Sequence, residues 1–185
     1  MEKINIFQKE LEFIEDTKIQ EITKNLIRQL PDYFFEVAAS STGKYHPQYA
    51  LGFQGLIRHT QAAVRIANDL LQLETFRGLS KDKDYIIAAL ILHDGIKHGW
   101  ENSKYSVANH PILASNFVIN NIPPEEDTEP YHKIAELIET HMGQFNTDYK
   151  NGLEILKKPS TKAQSFVHLC DYLASRKYLE FIFEV

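Results

Sequence analysis

Apolar residues between positions 4 and 30 recur at helical spacing in two sets. Phe7, Leu11 and Ile14 form the first, and Ile19, Ile22, Leu26, Ile27 and Leu30 the second, which predicts two helices or one kinked helix. Thr17 and Gln20 stand at capping-box spacing between the sets, and Pro31 stops the second because its ring cannot continue a helical ladder. The aromatic cluster Tyr33, Phe34 and Phe35 follows. Residues 40–55 are rich in Ser, Thr, Gly and Pro and read as a loop carrying Tyr45 and His46. A helix over about 56–73 presents Leu56, Ala63, Ile66, Ala67 and Leu70 on one face, with Gly78 closing it.

The next helix is expected to start near Ser80. Asp82 and Asp84 give it an acidic first turn, and residues 86–92 are apolar on every side, as in a buried central element. A polar loop over 95–109 precedes a helix opened by Pro111, with Asn109 or His110 at its cap. Pro130 begins another helix, striped by Ile134, Leu137 and Ile138 and ended by Met142 and Gly143. After a loop reaching Ser160, a last helix starts at Ser160 or Thr161 and buries Ala163, Phe166, Val167, Cys170 and Ala174. No segment alternates with period two over a useful length, so the expected fold is an all-α bundle with long loops.

The polar residues on the apolar faces carry the chemistry. His59 lies three residues after Leu56 and four before Ala63, so it points with the buried stripe. The same spacing turns His141 and Asp171 inward, and His93 and Asp94 directly end the buried run. A single inward histidine is ordinarily a hydrogen-bonded core residue. Five such groups from four helices are another matter, since a buried carboxylate costs several kcal/mol without a compensating cation. No lysine or arginine shares those helical faces near Asp171. A divalent transition metal bound by imidazole and carboxylate supplies that charge, and a donor set without thiolate suits Mn, Fe, Co, Ni or Zn.

Composition narrows the classes. The 185 residues are 43% hydrophobic and 24% charged, enough for one packed core, which excludes disorder and collagen-like fibre. A net charge of −5 argues against a broad nucleic-acid-binding surface and leaves room for a local basic pocket. The single Cys170 excludes an intramolecular disulfide framework and Cys-rich zinc modules. With no apolar window of spanning length and no h-region in the first ten residues, the expectation is a cytoplasmic protein without membrane contact.

The order His59, His93-Asp94, Asp171 resembles the HD superfamily of metal-dependent phosphohydrolases, with the match running from Tyr33 to Tyr178. His59 stands in Gly-Leu-Ile-Arg-His-Thr and Asp171 in Cys-Asp-Tyr-Leu-Ala. The resemblance implies an HD-domain helical bundle over residues 31–185, with residues 1–30 as a helical extension packed on its core. It implies a first metal held by His59, His93, Asp94 and Asp171. His110 and His141 match the extra histidines of two-metal members, in which the carboxylate at Asp94 bridges two ions. The lead-in from Tyr33 through His46 to Leu56, with Thr140 to Gly143, looks most like the HD domains of bacterial YhaM-type 3'-to-5' exoribonucleases. The residues ahead of Pro31 are too few and too helical for the OB module of those enzymes, so processive RNA degradation is not expected. The usual His-Asp-Ile-Gly-Lys reads here His93-Asp94-Gly95-Ile96-Lys97.

The implied activity is hydrolysis of a nucleotide or short oligonucleotide phosphoester, with Asp94 and Lys97 catalytic and Lys97 holding a non-bridging oxygen. Lys97, His46, Arg176 and Gln144 are the expected substrate contacts, and Tyr45 and Trp100 are candidates for the pocket border. His98 and His132 read as surface residues, and His168 as packing or as support for a ligand. A di-iron oxygenase and a metal-containing nucleotide sensor on the same fold are the competing functions; Lys97 favours the hydrolase. Oligomeric state has no signature in the sequence.

Overall fold

The computed structural model describes residues 2–40, 43–148 and 150–179. The fold is all-α: α1 (Gln8–Leu11), α2 (Thr17–Gln29), α3 (Gly55–Leu71), α4 (Lys83–Leu92), α5 (His110–Asn120), α6 (Glu129–Glu139) and α7 (Lys162–Ala174). Short 3-10 segments occupy Lys3–Phe7, Asp32–Phe35, Gln48–Ala50 and Glu74–Asp82. Among the described residues the β pairing is confined to an isolated bridge between Thr147 and Glu154. None of their helices is long and apolar enough to cross a membrane.

The centre of the bundle is α4, whose residues from Ile86 to Leu92 are all fully buried. A helix apolar on every side needs neighbours all round, and α1, α2, α3, α6 and α7 enclose it. Each of its isoleucine and leucine side chains contributes about 1.5–3 kcal/mol by leaving water, so α4 is the rigid post on which His93 and Asp94 stand. The N-terminal stretch shares this core, with Phe7, Leu11, Ile14, Ile19, Ile22 and Leu26 buried in it. Buried Glu10 pairs with Arg65 of α3 at 2.8 Å, and the Asp84 carboxylate accepts from the backbone N–H groups of Glu15 and Asp16.

Several local expectations shift. The cap of α2 is Asp16, which accepts from Lys18 and Ile19 N–H; Thr17 is already helical, and the Gln20 amide reaches back to the Leu11 and Ile14 carbonyls. Gly78 does not close α3, which ends at Leu71; it lies within a 3-10 segment that postpones α4 to Lys83. Asn109 occupies the cap position of α5 with no side-chain cap bond. The Thr161 cap of α7 is a full capping box with Gln164. α6 stops at Glu139, before Met142. Gly143 adopts a left-handed φ of +57°, and a Cβ there would fall 2.3 Å from the His168 ring, so only glycine fits this turn.

The order Gly95-Ile96 also has a steric reason. A Cβ at position 95 would meet the Leu30 side chain at 2.5 Å, whereas Ile96 is fully buried. The small residue makes room for α2, and the large one fills the core.

Candidate metal centre

The ligand candidates sit mainly at helix ends, where the backbone orients them. His93 caps the C-terminus of α4, His110 opens α5, and His141 follows α6 by two residues. In each the Nδ1 lies within hydrogen-bond distance of the carbonyl three residues earlier: His93 to Leu90 at 2.7 Å, His110 to Val107 at 2.8 Å and His141 to Ile138 at 2.8 Å. A carbonyl only accepts, so Nδ1 carries the proton and Nε2 is turned inward, which is how metal-binding imidazoles are usually oriented. His59 and Asp171 come from the second turn of α3 and the later turns of α7, which pack against each other.

All six predicted ligands meet. His59 Nε2 is 3.0 Å from Asp171 Oδ1 and 3.7 Å from Asp94 Oδ2. His93 Nε2 is 3.5 Å from each of these same oxygens. The other Asp94 oxygen, Oδ1, faces His110 Nε2 at 3.2 Å and His141 Nε2 at 3.8 Å. His110 and His141 bring their Nε2 atoms within 3.1 Å of each other, so both face one spot. His59, His93, Asp94 and His141 are buried; His59 Nε2, His93 Nε2 and Asp94 Oδ1 have no hydrogen-bond partner there.

A metal ion fits this set. Two donors about 2.1 Å from one ion and roughly at right angles to it lie ~3.0 Å apart, close to the shorter separations seen here. Three overlapping groups have suitable geometry: His59, His93 and Asp94; His93, His141 and Asp171; and Asp94, His110 and His141. The residues can therefore hold a metal ion through nitrogen and oxygen. Cys170 does not join them; it is buried in the core, and burial pushes its thiol pKa up.

Burial opposes ionisation of Asp94, but the charges of Lys97 and His93 outweigh it and hold the carboxyl well below the usual carboxylate range. Asp171 is held low likewise, against its burial, by His59 and His93. For His93, burial disfavours the charged ring, yet Asp94 and Asp171 raise its pKa to about 10. His141 is pushed down to about 3, by burial first and then by His93 and His110. Lys97 Nζ lies 2.5 Å from Asp94 Oδ2. The expectation that no lysine or arginine shares the helical faces near Asp171 did not cover this contact, because Lys97 reaches Asp94 from the turn after α4.

A cavity of about 520 Å³ opens onto the cluster, bordered by His46, Lys97, His110, Asp171, Tyr172 and Arg176. Three of the four residues expected to contact substrate, Lys97, His46 and Arg176, therefore border this cavity. Gln144 is exposed and does not border the cavity; the next residue, Phe145, does, since the turn at Gly143 directs the chain that way. His46 stands edge-on to His59 with ring centroids 5.3 Å apart, its Nδ1 buried without a partner. Burial, then His59 and Lys97, push its pKa down to about 3.

Tyr45 borders the cavity as expected. Trp100 does not, being 58% exposed and packed beside Phe117. His132 is exposed, as expected. His98 is buried instead, stacked on Tyr33 at 5.5 Å, because the loop after Lys97 folds back over the aromatic cluster. His168 supports the site from α7: its Nδ1 approaches the His141 carbonyl at 2.7 Å. Met142, Phe145 and Ser106 at the cavity wall were absent from the sequence expectation. Tyr172, near the end of α7, also lines it, and its place next to Asp171 was the available signal.

Comparison with known proteins finds no match to a family model, to a curated protein or to a solved structure.

Proposed function

We propose that this chain is a metal-dependent phosphohydrolase of the HD type, hydrolysing a nucleotide or short oligonucleotide phosphoester at a two-ion centre. The observation that carries the reading is the division of labour at Asp94. Its Oδ2 faces His59 and His93 while its Oδ1 faces His110 and His141, the disposition a carboxylate needs to bridge two ions. In this reading His59, His93 and Asp171 complete one site, and His110 and His141 the other.

Bound divalent ions of the Mn, Fe, Co, Ni or Zn class supply a lowered pKa for a coordinated water and offset phosphoryl charge. The chain's own residues do the rest. Nδ1–carbonyl contacts lock three imidazoles with Nε2 inward. Lys97, at the cavity wall and beside Asp94, offers its ammonium to a non-bridging phosphoryl oxygen and favours the charge that grows there in the transition state. His46 stands at the same wall as a neutral hydrogen-bonding group for the ester. Asp94 fixes the spacing between the two halves of the site.

Lys97 also favours hydrolysis over the di-iron oxygenase alternative, because a cation at the cavity wall has a direct use in phosphoester cleavage. The test is a screen of metal-reconstituted protein against phosphomonoesters, cyclic dinucleotides and short RNA. Turnover of at least one, abolished in Asp94→Ala, is expected; no turnover of any with metal bound would overturn the proposal.

A further inference from the structure

The outer half of the cavity has a chemistry that the metal cluster does not explain. Tyr172, near the end of α7, lies under the guanidinium of Arg176, two residues past that helix, at 4.2 Å from ring centroid to Cζ. Tyr45, from the loop ahead of α3, approaches the same guanidinium at 5.7 Å. Phe145, carried in by the turn at Gly143, lies next to Tyr172 with the two ring planes only 10° apart and centroids 6.2 Å apart. Four planar groups from three separate parts of the chain thus meet at the cavity wall.

Their exposure is informative. Tyr45 is 54% and Phe145 49% exposed, although two aromatic rings half in water at one cavity gain little from packing alone. Arg176 is held by the Ser175 hydroxyl, through Nη2 at 2.7 Å and Nε at 3.2 Å, and by the rings. Among the described residues it makes no ion pair with a carboxylate. A guanidinium flat against an aromatic face is a rigid planar surface, already desolvated on that face.

We propose that Tyr45, Phe145, Tyr172 and Arg176 form the subsite for a nucleobase, so that the organic part of the ester is a planar nitrogen heterocycle stacked on this wall. The inference rests on the phosphohydrolase reading for the inner end of the cavity, where Lys97 and the cluster take the phosphoryl group. It adds what selects the rest of the ligand. An aliphatic chain would gain nothing from a guanidinium in the wall, whereas a base stacks on both rings and guanidinium. The cavity, at about 520 Å³, lies in the size range of single small-molecule sites, which points to one nucleotide unit.

The test is calorimetric binding to the metal-loaded protein of the methylenephosphonate analogue of adenosine monophosphate, compared with the same analogue lacking the base. Neither ligand has a hydrolysable phosphoester bond, so the measurement is independent of turnover. The base-bearing analogue should bind at least about tenfold tighter. Tyr45→Ala and Phe145→Ala, both at half-exposed rings that leave the core intact, should each remove most of that advantage and leave the base-free analogue unchanged. Arg176→Lys, which keeps the charge and loses the plane, should behave like them. Equal binding of the two analogues, binding of neither, or an advantage that survives in all three variants would overturn the subsite. Failure of the hydrolase reading would look different: the base advantage would stand while no phosphoester is turned over.

Discussion

Asp94 and His110 meet at 3.2 Å through the carboxylate oxygen that faces away from His59 and His93. Because Asp94 turns one oxygen to each pair of imidazoles, it and His110 should fail differently when removed. Asp94→Ala is expected to lose both ions and all activity. His110→Ala should lose one ion and keep a residual rate at saturating metal. Metal per chain by elemental analysis, with kcat for the same samples, checks this; equal losses in the two variants would argue against a bridging carboxylate.

A Lys97 variant should separate catalysis from metal retention. Its ammonium pairs with Asp94 and borders the cavity. If it steadies a developing phosphoryl charge, Lys97→Ala should lower kcat by about 10²–10³-fold, as loss of one such donor does, with metal content at saturation unchanged. Wild-type kinetics in the variant would make Lys97 a structural partner of Asp94 only.

Metal binding should release protons. In the metal-free protein Asp94 and Asp171 hold His93 protonated, with a pKa near 10 against its burial, so at neutral pH an ion must displace that proton. The sign follows directly: apparent metal affinity rises with pH across the neutral range, towards the raised pKa of His93. Calorimetric titrations in buffers of different ionisation enthalpy should give about one proton or more released per chain. Zero release would contradict the charge assigned to His93.

The cap of α2 distinguishes two neighbouring residues. Asp16 accepts from the N–H groups of Lys18 and Ile19, and Thr17 makes no such cap. Asp16→Ala should therefore cost about 0.5–2 kcal/mol in denaturant unfolding, whereas Thr17→Ala, at an exposed helical position, should cost nothing, because alanine has the higher helix propensity. The reverse order would restore Thr17 as the cap.

The site was more legible than its surroundings, for physical reasons. His59 and Asp171 lie on amphipathic helices, where spacing from Leu56 and Val167 reveals the inward face. His93 and Asp94 end an all-apolar run and had nowhere to point but in. His110 has no such neighbours, and its place came only from the resemblance to HD proteins. Loop residues carry no periodicity. That is why Gln144 was expected at the cavity where Phe145 stands, and why His98 was read as exposed although it stacks on Tyr33. Lys97 was legible as a residue but not as the partner of Asp94, since the turn after α4 decides where its side chain goes. The cap shifted from Thr17 to Asp16 because both residue types can cap and sequence pattern locates helix ends poorly.

The most direct test is the metal content of the intact chain. Protein purified without chelators and reconstituted with Mn, Fe, Co, Ni or Zn should carry two ions per chain by elemental mass spectrometry, falling to at most one in His110→Ala. A wild-type protein that binds none of these metals after reconstitution would contradict the account at its centre.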